Sequence, residues 1–171
     1  MAGTDESYGT AQICLNGHVI SSSVKEHPKS CQTYCDICGA KAIEACPNCE
    51  EPIRGTHYIS GPYRRVFSCS IETPPSYCGN CGQSFPWTET ALQSAVELLA
   101  EELQLSEEET AGLNESVSDA IRETPRATLG ATRIRRLLQR AGEETVEAVR
   151  DILVGVLSEA MARTIFQDAP R

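Results

Sequence analysis

Apolar residues follow two different rhythms along this chain, and the change comes near Pro86-Trp87. Beyond it, Leu92, Ala95, Val96, Leu99 and Leu103 recur at helical spacing behind Pro86 and a Thr88 or Thr90 cap, which predicts a first helix. Ser106-Glu107-Glu108-Glu109 has the form of a capping box with three acids in the first turn. It opens a second helix, carried by Leu113, Val117 and Ile121 as far as Pro125. Thr124-Pro125 opens a third, with Ile134, Leu137, Leu138 and Ala141 inward and Gly142 as its stop. A last helix is expected over Glu143 to Phe166, where apolar positions from Val146 to Met161 cover about half the circumference, more than a ~100° surface stripe. Such a helix needs neighbours on more than one side, either the rest of a four-helix bundle or a second copy or partner helix.

Before Pro86 the pattern is different. Short alternating runs, Val19-Ile20-Ser21 and Tyr63-Arg64-Arg65-Val66-Phe67-Ser68, suit small hairpins. Large apolar residues are few, so burial alone gives this half little to fold around. Three domains follow: a flexible N-terminus at 1–10, a β-rich region at 11–87, and an all-α region at 88–171 that is a candidate oligomerisation domain.

Charge sharpens the division. The net charge is −9, with 6 Lys and Arg against 8 Asp and Glu before residue 88, and 9 Arg against 16 Asp and Glu after it. A nucleic-acid binder usually carries a basic footprint, and in bulk this chain has none. The start lacks a basic segment followed by an apolar one, and no apolar run approaches ~18 residues, so a cytoplasmic protein is expected, with no spanning helix. Glu147, Asp151 and Glu159 on the polar face of the last helix also speak against a membrane-surface helix.

All nine cysteines precede Trp87. In a reducing compartment they stay thiols available to metal. Six form Cys35-x-x-Cys38, Cys46-x-x-Cys49 and Cys78-x-x-Cys81, and Cys14-x-x-x-His18 stands ahead of them. Two donors separated by a tight turn can face one ion, and eight donors make the complement of two tetrahedral zinc ions. Pairing in chain order gives Cys14, His18, Cys35 and Cys38 for one ion and Cys46, Cys49, Cys78 and Cys81 for the other. A crossed arrangement, with the first and third pairs sharing an ion, uses the same donors. Full protein donor sets imply structural sites, and neither an H-E-x-x-H nor an H-x-E with P-C-x-x-C is present. The fold class expected is therefore two small zinc-stabilised β-rich ribbons followed by an all-α domain.

Cys31, Cys69, His27 and His57 are left over. Cys31 lies four before Cys35 and could replace a member of the first site. Cys69 and His57 read as a buried thiol and a surface imidazole, or as a Cys-His catalytic pair without an evident acidic orienter. In the helical half, Arg133, Arg136 and Arg140 share one helical face with Arg135 nearby. They either bind an anion or pair with neighbouring acids such as Glu143 and Glu144.

The stretches Ala11-Gln-Ile-Cys-Leu-Asn-Gly-His-Val-Ile20, Cys38-Gly-Ala-Lys41, Ala45-Cys-Pro-Asn-Cys49, Pro52-Ile-Arg-Gly55, Cys78-Gly-Asn-Cys-Gly82 and Phe85-Pro-Trp-Thr88 together resemble a family of uncharacterised bacterial proteins. That family has tandem N-terminal zinc ribbons and a C-terminal helical region, and Thr124-Pro-Arg126 and the Ile152 to Ala160 region resemble it too. The resemblance implies metal ligands at the eight donors named above and assigns no reaction. Glu50 departs from the glycine expected after Cys49.

The leading expectation is a non-enzymatic adaptor or scaffold that binds protein partners or self-assembles. An alternative is a nucleic-acid-associated ribbon protein contacting through Arg54, Arg64, Arg65, Arg133, Arg136 and Arg140, and a third is a zinc- or Cys-dependent enzyme. No small-molecule substrate is evident.

Overall fold

A computed structural model describes residues 5–60 and 66–167. The chain divides into two compact units, Met1–Thr88 and Glu89–Arg171.

The first unit contains two small antiparallel sheets. Strands β1 (Asp5–Thr10), β5 (Arg54–Ser60) and β6 (Val66–Cys69) form one, with β5 central. Strands β2 (Gln12–Cys14), β3 (Val19–Ser21) and β4 (Ala42–Ile43) form the other, with β2 central. The expectation of a flexible N-terminus at 1–10 is overturned from Asp5 onward, because this segment pairs with β5 from Asp5↔Ser60 to Thr10↔Arg54. Its own sequence is mostly polar, so the order comes from the partner strand's hydrogen bonds rather than from an apolar face. Arg64 and Arg65 lie outside the described residues.

Between the strands the chain forms three turns of one design. In each, the first cysteine's N–H donates to the carbonyl five residues on, as Cys35 to Ala40 (2.9 Å), Cys46 to Glu51 (2.8 Å) and Cys78 to Gln83 (2.8 Å). The residue four on returns its N–H to the cysteine carbonyl, from Gly39, Glu50 and Gly82 respectively. One bridge closes each turn, as Tyr34↔Lys41, Ala45↔Pro52 and Tyr77↔Ser84. That fourth position has φ +70 at Gly39, +73 at Gly82 and +60 at Glu50. The turn at Glu50 is thus the same turn without the glycine, in a backbone region that a side chain disfavours.

A compact apolar cluster of Ala11, Ile13, Ile53, Phe85 and Trp87, with Cys46 and Cys78, forms this unit's core. Phe85 and Trp87 stack at 4.7 Å, and the Trp87 indole donates to Pro75 O at 2.9 Å. The buried Gln12 amide joins separate loops, donating to Glu44 and accepting from the Gln32 N–H, each at 2.8 Å. Its polar atoms are satisfied, as burial requires.

Helix α1 (Pro86–Leu103) begins in the first unit and continues into the second, followed by α2 (Glu107–Arg122), α3 (Ala127–Leu138), α4 (Glu143–Val154) and α5 (Glu159–Phe166). The capping box at Ser106 and Glu109 forms on both sides. Helix α3 starts after Pro125 and Arg126, because Thr124 turns the chain there, accepting the Arg126 N–H and donating to Asp119. Gly142 caps the start of α4 instead of stopping α3, with its N–H on the Glu102 carboxylate at 3.1 Å.

The single helix expected over Glu143 to Phe166 is broken in two. After Gly155 the chain turns, and Ser158 accepts the Met161 N–H at 3.2 Å to begin α5. The break also accounts for the wide apolar arc, which combines two shorter faces with different directions. Val146, Val149 and Leu153 of α4 and Ile165 and Phe166 of α5 are buried, whereas Val154 and Ala160 are exposed. In the α2–α3 contact, a Cβ on Gly130 would stand 2.6 Å from Ser116 O, so the helices approach there at backbone distance. No helix among the described residues is long and apolar enough to cross a membrane.

Candidate metal centres

The turns bring eight donors together as two groups of four in chain order. Cys14, His18, Cys35 and Cys38 form one and Cys46, Cys49, Cys78 and Cys81 the other, with the donor atoms of each group within 4.8 Å of one another. The crossed pairing is not the arrangement formed.

The fit to an ion can be tested from the donor separations. Metal–sulfur bonds of about 2.3 Å and metal–nitrogen bonds of about 2.0–2.1 Å, set tetrahedrally, place two sulfurs about 3.8 Å apart and a sulfur and nitrogen about 3.5 Å apart. In the first group Cys14 and Cys38 Sγ are 3.8 Å apart, and His18 Nδ1 is 3.5 Å from Cys14 Sγ and 3.6 Å from Cys35 Sγ. In the second, Cys46 and Cys81 Sγ are 3.8 Å apart and Cys49 and Cys78 Sγ 3.6 Å. Both sets can hold a tetrahedral ion.

Position follows from backbone. Cys14 ends β2, and Gly17 at φ +89 turns the chain so that His18 comes back to it, with the Gly17 N–H on Cys14 O at 2.9 Å. The other six sit at the two ends of the three repeated turns. Cys14, Cys35, Cys46 and Cys78 are buried and Cys38 is exposed, so each group closes over from one side.

The turns also supply N–H groups to sulfur, and these favour the thiolate form that binds metal. The Ala40 N–H lowers Cys38, the Cys81 and Asn80 N–H groups lower Cys78, and the Gln83 N–H with the Asn48 side chain brings Cys81 down to about 6. At Cys49 the Glu51 N–H and the Asn80 amide act in the same sense, but burial and the sulfurs of Cys81 and Cys78, competing for one proton, carry it up to about 11. Burial pushes Cys14 up against the N–H groups of His18 and Asn16. Asn48 and Asn80 are thus supporting residues that ligand spacing does not reveal, although an asparagine just before the second cysteine of a turn is a readable signal.

The remaining candidates lie elsewhere. Cys31 Sγ points to His27 O at 3.6 Å and joins neither group. His57 stacks on Tyr8 at 4.5 Å, its Nε2 stands 3.6 Å from Glu6, and Arg54 covers the other ring, 5.2 Å from the Tyr8 centroid. Cys69 is opposite His57 in the β5–β6 register, and its side chain lies outside the described residues. Arg54 therefore packs on an aromatic ring. Arg133, Arg136 and Arg140 line a groove between α2 and α3 and, among the described residues, form no ion pair with Glu143 or Glu144.

A family model described as an uncharacterized protein conserved in bacteria (DUF2321) matches residues 7–165, a span that includes both donor groups and all but the end of the last helix. No curated protein and no solved structure matches the chain.

Proposed function

The chain belongs to the DUF2321 family of bacterial proteins, and we propose that it is a non-enzymatic cytoplasmic adaptor: two structural zinc ions hold a rigid ribbon surface, and the acidic helical unit docks a protein partner or assembles with copies of itself. The observation that carries this reading is the composition of the two donor groups. Each offers four protein donors at tetrahedral spacing, which leaves a bound ion no open position for water or substrate.

Zinc is the ion that the donors favour. Thiolate-rich tetrahedral sets select zinc or iron, and the imidazole in the first set favours zinc. Bound there, zinc supplies fold stability and no reaction step. Cys14, His18, Cys35 and Cys38 hold one ion and Cys46, Cys49, Cys78 and Cys81 the other.

The ribbon unit presents apolar residues at the tip of its first turn, where Tyr34 and Ile37 are 61% and 73% exposed. A side chain so placed between two metal ligands is held rigid, which lowers the entropy cost of docking. Affinity capture with the zinc-loaded protein, paired with light scattering across concentration, tests the reading. A recurrent protein partner or a defined oligomer is expected. A strictly monomeric protein without a specific partner contradicts it.

A further inference from the structure

The α2–α3 interface is closed at one end and open at the other. At the closed end Gly130 lets α3 reach the Ser116 backbone. At the open end the helices leave a surface groove of about 480 Å³, floored by Leu113 and Leu137 and rimmed by Arg133, Arg136 and Arg140.

Two features of the groove are not explained by the packing of its own unit. Gly112 lies within α2, where glycine is a poor helix former, yet a Cβ there would meet nothing within 4 Å. Its bare backbone keeps the floor open. The three arginines are exposed and unpaired with the nearby acids of α4. Glu109 is the one acid lining the groove, and its carboxylate already accepts the Ser106 N–H at 2.9 Å.

The arginines at i, i+3 and i+7 extend over about 10 Å of helix axis. A row of cations beside an apolar floor matches a long ligand with an apolar stripe and acids along one edge, which is the pattern of an amphipathic helix. A small molecule would leave much of its surface uncovered in so open a groove. A nucleic-acid backbone would use the arginines but gain nothing from the leucines, and would meet the fixed Glu109 carboxylate.

We propose that this groove is the docking site for an acidic amphipathic helix of a partner protein, whose aliphatic side chains lie on Leu113 and Leu137 against Gly112 while its carboxylates pair with Arg133, Arg136 and Arg140. The proposal deepens the adaptor reading, on which it rests, by naming the surface and the chemistry of the partner.

The test is a fluorescence anisotropy titration of the full-length, zinc-loaded protein with a labelled helix-forming peptide of about fifteen residues, bearing a leucine stripe flanked by glutamates. Saturable binding is expected, weakening with salt and falling at least about tenfold in R136E/R140E, whose charges would repel the peptide. Gly112→Met should cause a similar loss by filling the floor, and circular dichroism should show its helices intact. A peptide with lysines in place of the glutamates should not bind.

Absence of saturable binding, or equal binding by both variants, overturns the proposal. So does binding of a single-stranded oligonucleotide in place of the peptide, or a self-association that R136E/R140E abolishes and the peptide does not compete. A partner captured equally by wild type and R136E/R140E would remove the groove while leaving the adaptor reading in place.

Discussion

Glu50 holds the left-handed position that Gly39 and Gly82 hold in the two sister turns, at φ +60 against +70 and +73. Left-handed backbone costs a side-chain-bearing residue roughly 1–2 kcal/mol, part of which glycine recovers at the expense of chain entropy. Glu50→Gly should therefore stabilise the ribbon unit by about 0.5–1 kcal/mol, and Gly82→Ala should destabilise it by about 1 kcal/mol or more. Denaturant titration followed by Trp87 fluorescence measures both, since Trp87 is the only tryptophan and lies in the core of that unit. At this scale the sequence is highly readable. Metal-ligand turns impose a fixed spacing and a turn residue, so the donors are visible in the chain, as is the missing glycine. The Tyr8–His57 stack is not readable, because it depends on two strands meeting across about fifty residues of chain.

At the scale of elements, caps decide where helices begin, and they were legible to different degrees. Ser106 and Glu109 form the box that their spacing predicts. The Ser106 N–H, and then the Ser106 side chain, hold the Glu109 carboxyl below the usual carboxylate range. A lowered folded pKa gives a contribution that is complete above the unfolded value and is lost as pH falls through the folded one. Helix content followed by circular dichroism should thus carry an acid-side loss, below about pH 4.3, that Glu109→Gln removes. The break between α4 and α5 was harder to see, because apolar residues keep helical spacing across it through Val156. Gly155 and Ser158, followed by Glu159, were the signal. Ser158→Ala should destabilise the short α5 by about 1 kcal/mol, seen as earlier loss of helix signal on heating. Strand β1 gave no such signal, since its residues are ordered by β5 and not by their own pattern.

For the molecule as a whole, the two units rest on different physics. The helical unit buries aliphatic residues from all five helices, whereas the ribbon unit has only a handful of large side chains in its core. A unit with so small a core depends on its metal for folding. Chelation should therefore shift Trp87 emission to the red as the ribbon unit opens, while most of the helical circular dichroism remains. If helix signal and Trp87 emission were lost together, the division of labour between the units would be wrong. The claim on which the account turns is that both donor groups are closed around structural zinc. X-ray absorption at the zinc edge, on protein whose metal content is counted in the same sample, tests it most directly. Seven sulfurs shared by two ions predict two zinc per chain and an average of about 3.5 sulfur neighbours at about 2.3 Å, with the remainder nitrogen. One zinc per chain, or an average of three or fewer sulfurs with oxygen completing the shell, would contradict it.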